Sequence, residues 1–365
     1  MKPASIWLTN WKEELKKKKH KFVTKTDTEV LVHGYEEWGH NLTKKLRGMY
    51  AFAIWNKKEQ ELYMARDGWG IKPLYYYQNE KTLMFASEIK AFLDHPDFIK
   101  EFNDEILSAY LCFNSVPTEE TFFKGVKRVE PGHQLIYKDN NLEIERFFKL
   151  EFDEQNTDLE KSAEEINEAM TDSVKRHFHA DVEVGSLLSS GVDSSYIVSI
   201  GKPNKTFTVG YDDPKYNEIN YAKDLSDKLG VQNISKKITQ EEYIKNFPKL
   251  MYHMDEPLAD PSIIALHSIS ELASHHVKVI TSGEGADELF GGYNTYQEEV
   301  NQSWYMKIPF PLRRLASMIA GIFPEVRGFN FIYRRGKHLK DYNIGLGRVF
   351  RDEEAMKIVK PKNQI

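Results

Sequence analysis

The sharpest chemical signal in the chain is the run Val184-Gly185-Ser186-Leu187-Leu188-Ser189-Ser190-Gly191-Val192-Asp193-Ser194-Ser195. An apolar strand pattern enters a small, hydroxyl-rich turn that opens a helix. A turn of this kind presents backbone N–H groups, and the helix start adds about half a positive charge. Serine hydroxyls add further donors, so the segment is suited to bind phosphate. No Lys follows Gly191, so the spacing is not that of a P-loop kinase. A plain helix cap is the alternative, because Ser189, Ser190, Asp193 and Ser194 are all good cap residues. One cap needs one such residue, and the density of hydroxyls favours the anion site.

A second run, Thr281-Ser282-Gly283-Glu284-Gly285-Ala286-Asp287-Glu288-Leu289-Phe290-Gly291-Gly292-Tyr293, follows another strand pattern. Its four glycines and three carboxylates belong at the carboxyl end of a parallel strand, the edge where open α/β sheets bind ligands. Carboxylates beside phosphates usually hold magnesium, which prefers oxygen ligands. A solvated acidic loop would need neither the glycines nor the aromatic residues. Glu218 begins a helix and either faces the phosphate loop or serves as a first-turn acid favoured by the dipole. His177, His179, His275 and His276 read as core or surface residues, since no metal-ligand spacing joins them. Lys16 to Lys19 reads as a solvated helix face.

The elements that must position these residues fall into two rhythms. Up to about residue 150, helical patterns over 11–19 and 27–38 precede strand-like runs at 49–55, 61–66, 74–77 and 83–86. A closing hairpin is expected at 134–137 and 142–148. Dense aromatics and short gaps predict an antiparallel α+β layer. Residues 151–160 are acidic and poor in apolar side chains, which marks a linker. Beyond it, helices expected at 162–179, 194–200, 217–229, 240–253 and 261–275 alternate with strands at 182–188, 206–210, 233–238 and 277–281. That alternation predicts right-handed crossovers and a parallel sheet covered on both faces. The tail after Tyr293 has helical patches without a clear rhythm.

Composition narrows the classes. The chain has 365 residues, 41% hydrophobic and 29% charged, which is enough for more than one domain with real cores. Lys plus Arg is 50 and Asp plus Glu is 55, a net charge of −5. That balance argues against nucleic acid as the main partner. A single cysteine, Cys112, excludes an intrachain disulfide and any multi-cysteine metal site. The chain is expected in a reducing, cytoplasmic setting. No run approaches the roughly 20 apolar residues that span a bilayer, so no membrane partner is expected.

Residues 187–195 resemble the pyrophosphate loop of N-type ATP pyrophosphatases, usually written SGGxDSS, with Ser190 in place of the second glycine. Together with residues 282–293 they resemble glutamine-dependent asparagine synthetase. The runs Arg47-Gly48-Met49-Tyr50-Ala51-Phe52-Ala53-Ile54-Trp55, Ala65-Arg66-Asp67, Gly70-Ile71-Lys72-Pro73-Leu74-Tyr75 and Ala86-Ser87-Glu88-Ile89-Lys90 are similar to that family's glutaminase domain. The resemblance implies a partial α+β glutaminase-like layer domain of the Ntn hydrolase type over 1–150. It implies an α/β domain of the ATP pyrophosphatase type, with a parallel sheet, over 161–365. It also implies an activity: ATP adenylates the side-chain carboxylate of aspartate, and ammonia from glutamine attacks the acyl-adenylate to give asparagine and AMP.

Site residues follow from the same resemblance. Leu187, Leu188 and Val209 are expected to bracket adenine, with Ser282 and Gly283 touching the nucleotide. Ser189, Ser190, Gly191, Ser194 and Ser195 would hold the pyrophosphate. Asp193 and Asp287 would hold Mg2+, and Glu284 is tied to forming the aspartyl-adenylate. Asp27, in the run Thr26-Asp27-Thr28-Glu29, would hold glutamine. Glu218 is a further candidate at the site. Asp255 and Glu256 resemble a loop near the aspartate pocket, with a proline-rich turn as the alternative. A homodimer through the first segment is expected.

The chain departs from the family pattern in three places. The family nucleophile is an N-terminal cysteine, whereas this chain begins Met1-Lys2-Pro3 and Cys112 lies in mid-chain. The first family strands and the later catalytic lysine segment have no counterpart here. The expectation is an incomplete form without glutaminase activity. Two other readings remain: a β-lactam synthetase-like or other amide ligase of the pyrophosphatase group, and a non-catalytic ATP-binding remnant.

Overall fold

The computed structural model describes residues 9–152, 158–213, 217–258, 260, 262–294, 296, 303–323, 326–338, 349–350 and 352–359. Tyr216, Ala259 and Pro261, from two of the expected turns, lie outside them. The chain opens with α1 (Thr9–Lys17), α2 (Asp27–Trp38) and the short α3 (Leu42–Lys45). Four strands follow: β1 (Ala51–Asn56), β2 (Glu61–Arg66), β3 (Tyr75–Gln78) and β4 (Leu83–Ala86). After α4 (Leu107–Phe113) come β5 (Val126–Arg128), β6 (His133–Lys138) and β7 (Asn141–Arg146). Then α5 (Leu159–His177), β8 (Val184–Leu187), α6 (Val192–Gly201), β9 (Lys205–Tyr211), α7 (Ile219–Leu229) and β10 (Gln232–Ile238) alternate. The pattern ends with α8 (Gln240–Met254), α9 (Ser262–Ser274), β11 (Val279–Thr281) and α10 (Ala286–Phe290).

By contact density the chain forms two compact units. The first comprises residues 1–103 and 119–282, so the acidic stretch expected as a linker lies within it. The second comprises residues 104–118 and 283–365.

In the first unit, the strands expected to make one antiparallel layer make two sheets. One has the order β1-β2-β6-β7, the other β4-β3-β5. Strand alternation explains how they stack. Tyr63 and Ala65 of β2 face a helical layer with Leu15, Val30, Leu31 and Leu42. Met64 and Leu62, one residue out of step, face the second sheet with Tyr76, Leu83 and Val129. The far side of that second sheet carries Tyr77, Met84 and Val126 against Ile89, Phe92 and Phe98.

The break between β2 and β3 has a specific cause. Asp67 is fully buried, and its carboxylate accepts four backbone N–H groups. Oδ1 takes those of Trp69 at 3.1 Å and Ile71 at 3.0 Å; Oδ2 takes those of Lys72 at 3.0 Å and Tyr50 at 3.2 Å. Arg66 holds the same loop by its carbonyls, donating to Lys72 O at 2.8 Å, Gly70 O at 2.7 Å and Val129 O. The loop therefore cannot close as a hairpin, and β3 is delivered to another sheet.

The second half of this unit is a parallel sheet of order β10-β9-β8-β11. Helices cover both faces. Phe207, Ile269, Ala273 and Val277 pack on the α9 side, and Leu188, Val198 and Ala222 on the side of α6 and α7. In the second unit, the tail resolves into helices Ser303–Met306, Phe310–Ile322, Phe329–Arg335 and Asp352–Ile358. Arg313 donates to Arg335 O at 2.6 Å and Ser317 to Tyr333 O at 2.7 Å, which ties two of them together. Among the described residues, no helix is long and apolar enough to cross a membrane.

Replacing Asp67 by Asn swaps an acceptor for an amide that faces backbone donors. Hydrogen bonds to a buried charge contribute about 1.5–3 kcal/mol each, so Asp67→Asn should cost about 3 kcal/mol or more, read as a lowered urea midpoint. A midpoint within error of wild type would contradict the clamp. Burial also pushes the phenols of Tyr50 and Tyr63 well above their ordinary value near 10. An acid raised by folding stabilises fully below its unfolded pKa and loses that contribution as pH climbs past it. The urea midpoint should therefore hold steady to about pH 9 and fall above about pH 10. A flat profile through that range would count against these buried phenols.

Candidate functional site

The hydroxyl-rich turn leaves β8 at the centre of the parallel sheet. Strand order reverses here, with β9 on one side of β8 and β11 on the other. This is the edge at which open α/β sheets take ligands. Ser189 and Ser194 bind each other through their hydroxyls at 2.8 Å, and Ser194 Oγ accepts from Ser189 N at 3.1 Å. Gly191 N donates to Ser189 Oγ at 3.1 Å, and Ser195 Oγ to Gly191 O at 2.7 Å. The residue at the cap of α6 is Gly191, and no side chain caps this helix. The plain helix-cap alternative therefore does not describe the turn, and the first-turn amides keep their donor character for an anion. Asp193 lies exposed in that first turn.

Glu218, at the start of α7, reaches this same turn. Its Oε1 accepts from Ser190 Oγ at 2.9 Å and its Oε2 from Ser190 N at 3.4 Å. A carboxylate thus sits on the donors expected to receive phosphate. Leu187 and Val209 pack on the α9 face, whereas Leu188 is 2% exposed on the opposite face with Val198 and Ala222. Neighbouring strand residues point to opposite sides, so the Leu188 side chain is core, and it meets the turn only through its backbone. Ser282 follows directly on β11, whose Thr281 lies in register with Ser186.

Gly283, Glu284 and Asp287 belong to the second unit. Glu284 is exposed, and Asp287 stands in the first turn of α10. Gly285 and Gly291 bound this short helix with φ of 90° and 65°, which accounts for two of the glycines. Gly292 has a different reason: a Cβ there would lie 2.0 Å from Asp287 Oδ1. The glycines shape the turn around the aspartate. Tyr293 donates to Glu288 at 2.8 Å, and that contact pushes its phenol up to about 12.

Asp255 and Glu256 both reach residues of the first half of the chain. Asp255 Oδ2 accepts from Ile89 N at 2.6 Å, and Oδ1 meets Lys90 Nζ at 2.7 Å. Glu256 accepts from Arg128 Nη2 at 2.7 Å and from Phe122 N at 3.1 Å. Burial pulls the Arg128 pKa down, but the Glu256 carboxylate and Tyr75 more than offset it. These carboxylates are committed to partners in the first half of the chain, which explains why an acidic pair stands beside prolines. Lys90 closes the family-like run 86–90, but nothing in the sequence pairs it with Asp255, and Arg128 belongs to no motif.

Asp27 begins α2 and borders a cavity of about 700 Å³. Thr28, Leu31, Tyr50, Phe52, Lys72 and Ser87 also line it. One anionic, one cationic and three hydroxyl side chains on an otherwise apolar wall suit a zwitterionic amino acid. Lys72 is delivered by the loop that Asp67 folds. Its role was hidden in the sequence because the cavity joins α2, β1 and that loop.

Residues 7–148 match the glutamine amidotransferase domain family, and residues 165–345 match the asparagine synthase family. Asparagine synthetase [glutamine-hydrolyzing] 1 of Bacillus subtilis is 42% identical over 358 residues, covering 96% of this chain. The chain belongs to the asparagine synthetase family. A putative asparagine synthetase of Mycobacterium bovis is 34% identical over 351 residues, covering 93% of the chain. The chain spans 56% and 54% of the lengths of these two relatives. The two family matches flank the acidic stretch, with the cavity beside Asp27 inside the first and the hydroxyl-rich turn after β8 inside the second.

The Arg128–Glu256 pair is mostly buried, with 26% and 13% of the side chains exposed. A double-mutant cycle with Arg128→Met and Glu256→Gln should give a coupling of about 1–2 kcal/mol in urea unfolding. Coupling of zero would show that the two side chains do not meet.

Proposed function

We propose that this chain carries the adenylating and glutamine-binding residues of asparagine synthesis. Residues 1–150 form a glutamine amidotransferase portion, 151–160 connect, and 161–365 form the synthetase portion. What carries the reading is the uncapped start of α6 at the reversal point of the parallel sheet, within the stretch matching the asparagine synthase family.

In this reading, the aspartate side-chain carboxylate attacks the α-phosphorus of ATP and pyrophosphate leaves. Charge grows on the leaving group. The amides at the start of α6 and the hydroxyls of Ser189, Ser194 and Ser195 are donors suited to stabilise it. Leu187, Val209, Ser282 and Gly283 contact the nucleotide, and Glu284 assists adenylate formation. Ammonia then attacks the acyl carbon of the adenylate, and asparagine and AMP separate. Asp193 and Asp287 offer the oxygen ligands that Mg2+ takes, and the ion would neutralise phosphate charge. Glu218 leaves Ser190 when phosphate arrives, which frees that residue's two donors. Asp27 pairs with the ammonium group of glutamine in the first-half cavity. Asp255 and Glu256 act on aspartate only indirectly, through the loop they anchor.

Aspartate-dependent formation of AMP and pyrophosphate from Mg-ATP, with ammonium chloride as nitrogen source, tests the reading. Asp193→Ala should weaken Mg-ATP binding by about tenfold or more, a loss of roughly 1.4 kcal/mol. ATP bound tightly with no AMP formed would overturn the synthetase reading in favour of a binding role. No ATP binding at all would overturn the phosphate turn itself.

A further inference from the structure

Two histidines and a glutamate converge beside the second half of α2. His33 and Glu36 lie one turn apart on α2, and His20 comes from the segment that links α1 to it. One ligand atom from each of the three lies within 4.8 Å of the others. Both histidines are largely buried, at 16% and 18% side-chain exposure, while Glu36 is 54% exposed. The two imidazole rings have centroids 5.0 Å apart.

The outward nitrogens decide the chemistry. His33 Nε2 lies 3.1 Å from Lys21 O, and a carbonyl only accepts. Nε2 must therefore carry the hydrogen, which leaves a lone pair on Nδ1 in the neutral ring. That Nδ1 faces Glu36 Oε2 at 2.7 Å. His20 repeats the pattern: Nε2 lies 3.1 Å from Glu37 Oε2, and Nδ1 lies 3.4 Å from the same Glu36 oxygen. Two lone pairs and a carboxylate thus point at one place. Positive charge must stand among them, either as a proton on each ring or as one cation shared by all three. Two adjacent imidazolium rings repel each other, whereas one divalent ion satisfies the whole set.

We propose that His20, His33 and Glu36 form a binding site for a divalent transition-metal ion of the zinc class. Imidazole ligands select such ions over magnesium and calcium. Zinc–nitrogen bonds of about 2.0–2.1 Å imply ligand separations near 3.3 Å in a tetrahedron, and the Glu36 oxygen stands 2.7 and 3.4 Å from the two Nδ1 atoms. Glu37 and the Lys21 carbonyl serve as the outer partners that orient metal-bound histidines. The ion would pin the segment before α2 onto that helix, directly ahead of Asp27. The site is independent of the asparagine synthetase reading.

The test is titration of the full chain, stripped with EDTA and exchanged into chelator-free buffer, with Co2+ and then Zn2+. The expected result is one ion per chain, visible d–d absorption with Co2+, and bleaching of that absorption by Zn2+. Glu37→Ala should weaken binding by about 10- to 100-fold, and Glu36→Ala or His20→Asn by more. His33 also packs edge-on against Phe22 at 4.8 Å, so Glu36→Ala, at an exposed position, is the variant that keeps the fold intact. Absence of stoichiometric uptake by the wild-type chain would overturn the site. Uptake unchanged in folded Glu36→Ala and His20→Asn would place the ion elsewhere and overturn it equally.

Discussion

The buried Asp67 carboxylate is the contact on which the first half of the structure turns. Four backbone donors converge on it, and Arg66 gathers three carbonyls from the neighbouring chain. A loop between strands normally exposes its polar backbone to water. Here Trp69 and Ile71 face water, but the loop's inward amides and carbonyls meet one buried acidic and one buried basic side chain in place of solvent. The direction the chain takes out of β2, the separation of the two sheets and the delivery of Lys72 to the cavity all follow from this pair. The cationic side of Arg66 needs no carboxylate partner because its hydrogens are spent on carbonyls, while burial lowers its pKa from the ordinary value.

The hydroxyl-rich turn after β8 is organised on a different principle. Its serines are bonded to one another and to Gly191, the residue at which the helix opens. Side-chain hydroxyls that compete with the backbone normally cap a helix. Here they stiffen the turn and leave the helix start to whatever anion arrives. Ser190, which stands where the family pattern has glycine, uses its hydroxyl to engage Glu218. The substitution therefore adds a donor that this chain already employs.

Much of this was legible in the residues. The limits of β2 and β4 coincide with those expected from alternation, and each strand and helix of the alternating second half appears within a few residues of its expected place. Periodicity reports which face is buried, and these elements each bury one. What periodicity cannot report is the partner. The division of the first strands between two sheets depends on Asp67 binding across the chain. The three-residue β5 is too short to show a pattern. The fate of Leu188 follows from strand alternation but needs to know which face holds the ligand. Asp255 and Glu256 find partners more than a hundred residues away. His20 and His33 sit thirteen positions apart, and only the turn between two helices brings them together.

The bond between Asp255 and the Ile89 amide bears on how the chain is made. Ile89 opens a 3-10 turn, Ile89–Phe92, whose preceding residue Glu88 supplies no side-chain cap. Its cap comes instead from a carboxylate 166 residues later in the chain. A ribosome that has just released this turn has not yet produced its acceptor. The first half must wait with an open donor through the synthesis of three of the four parallel strands and of α8. The order of synthesis and the order of completion are thus different for this part of the molecule, and the last stitch in its first half is sewn by its second.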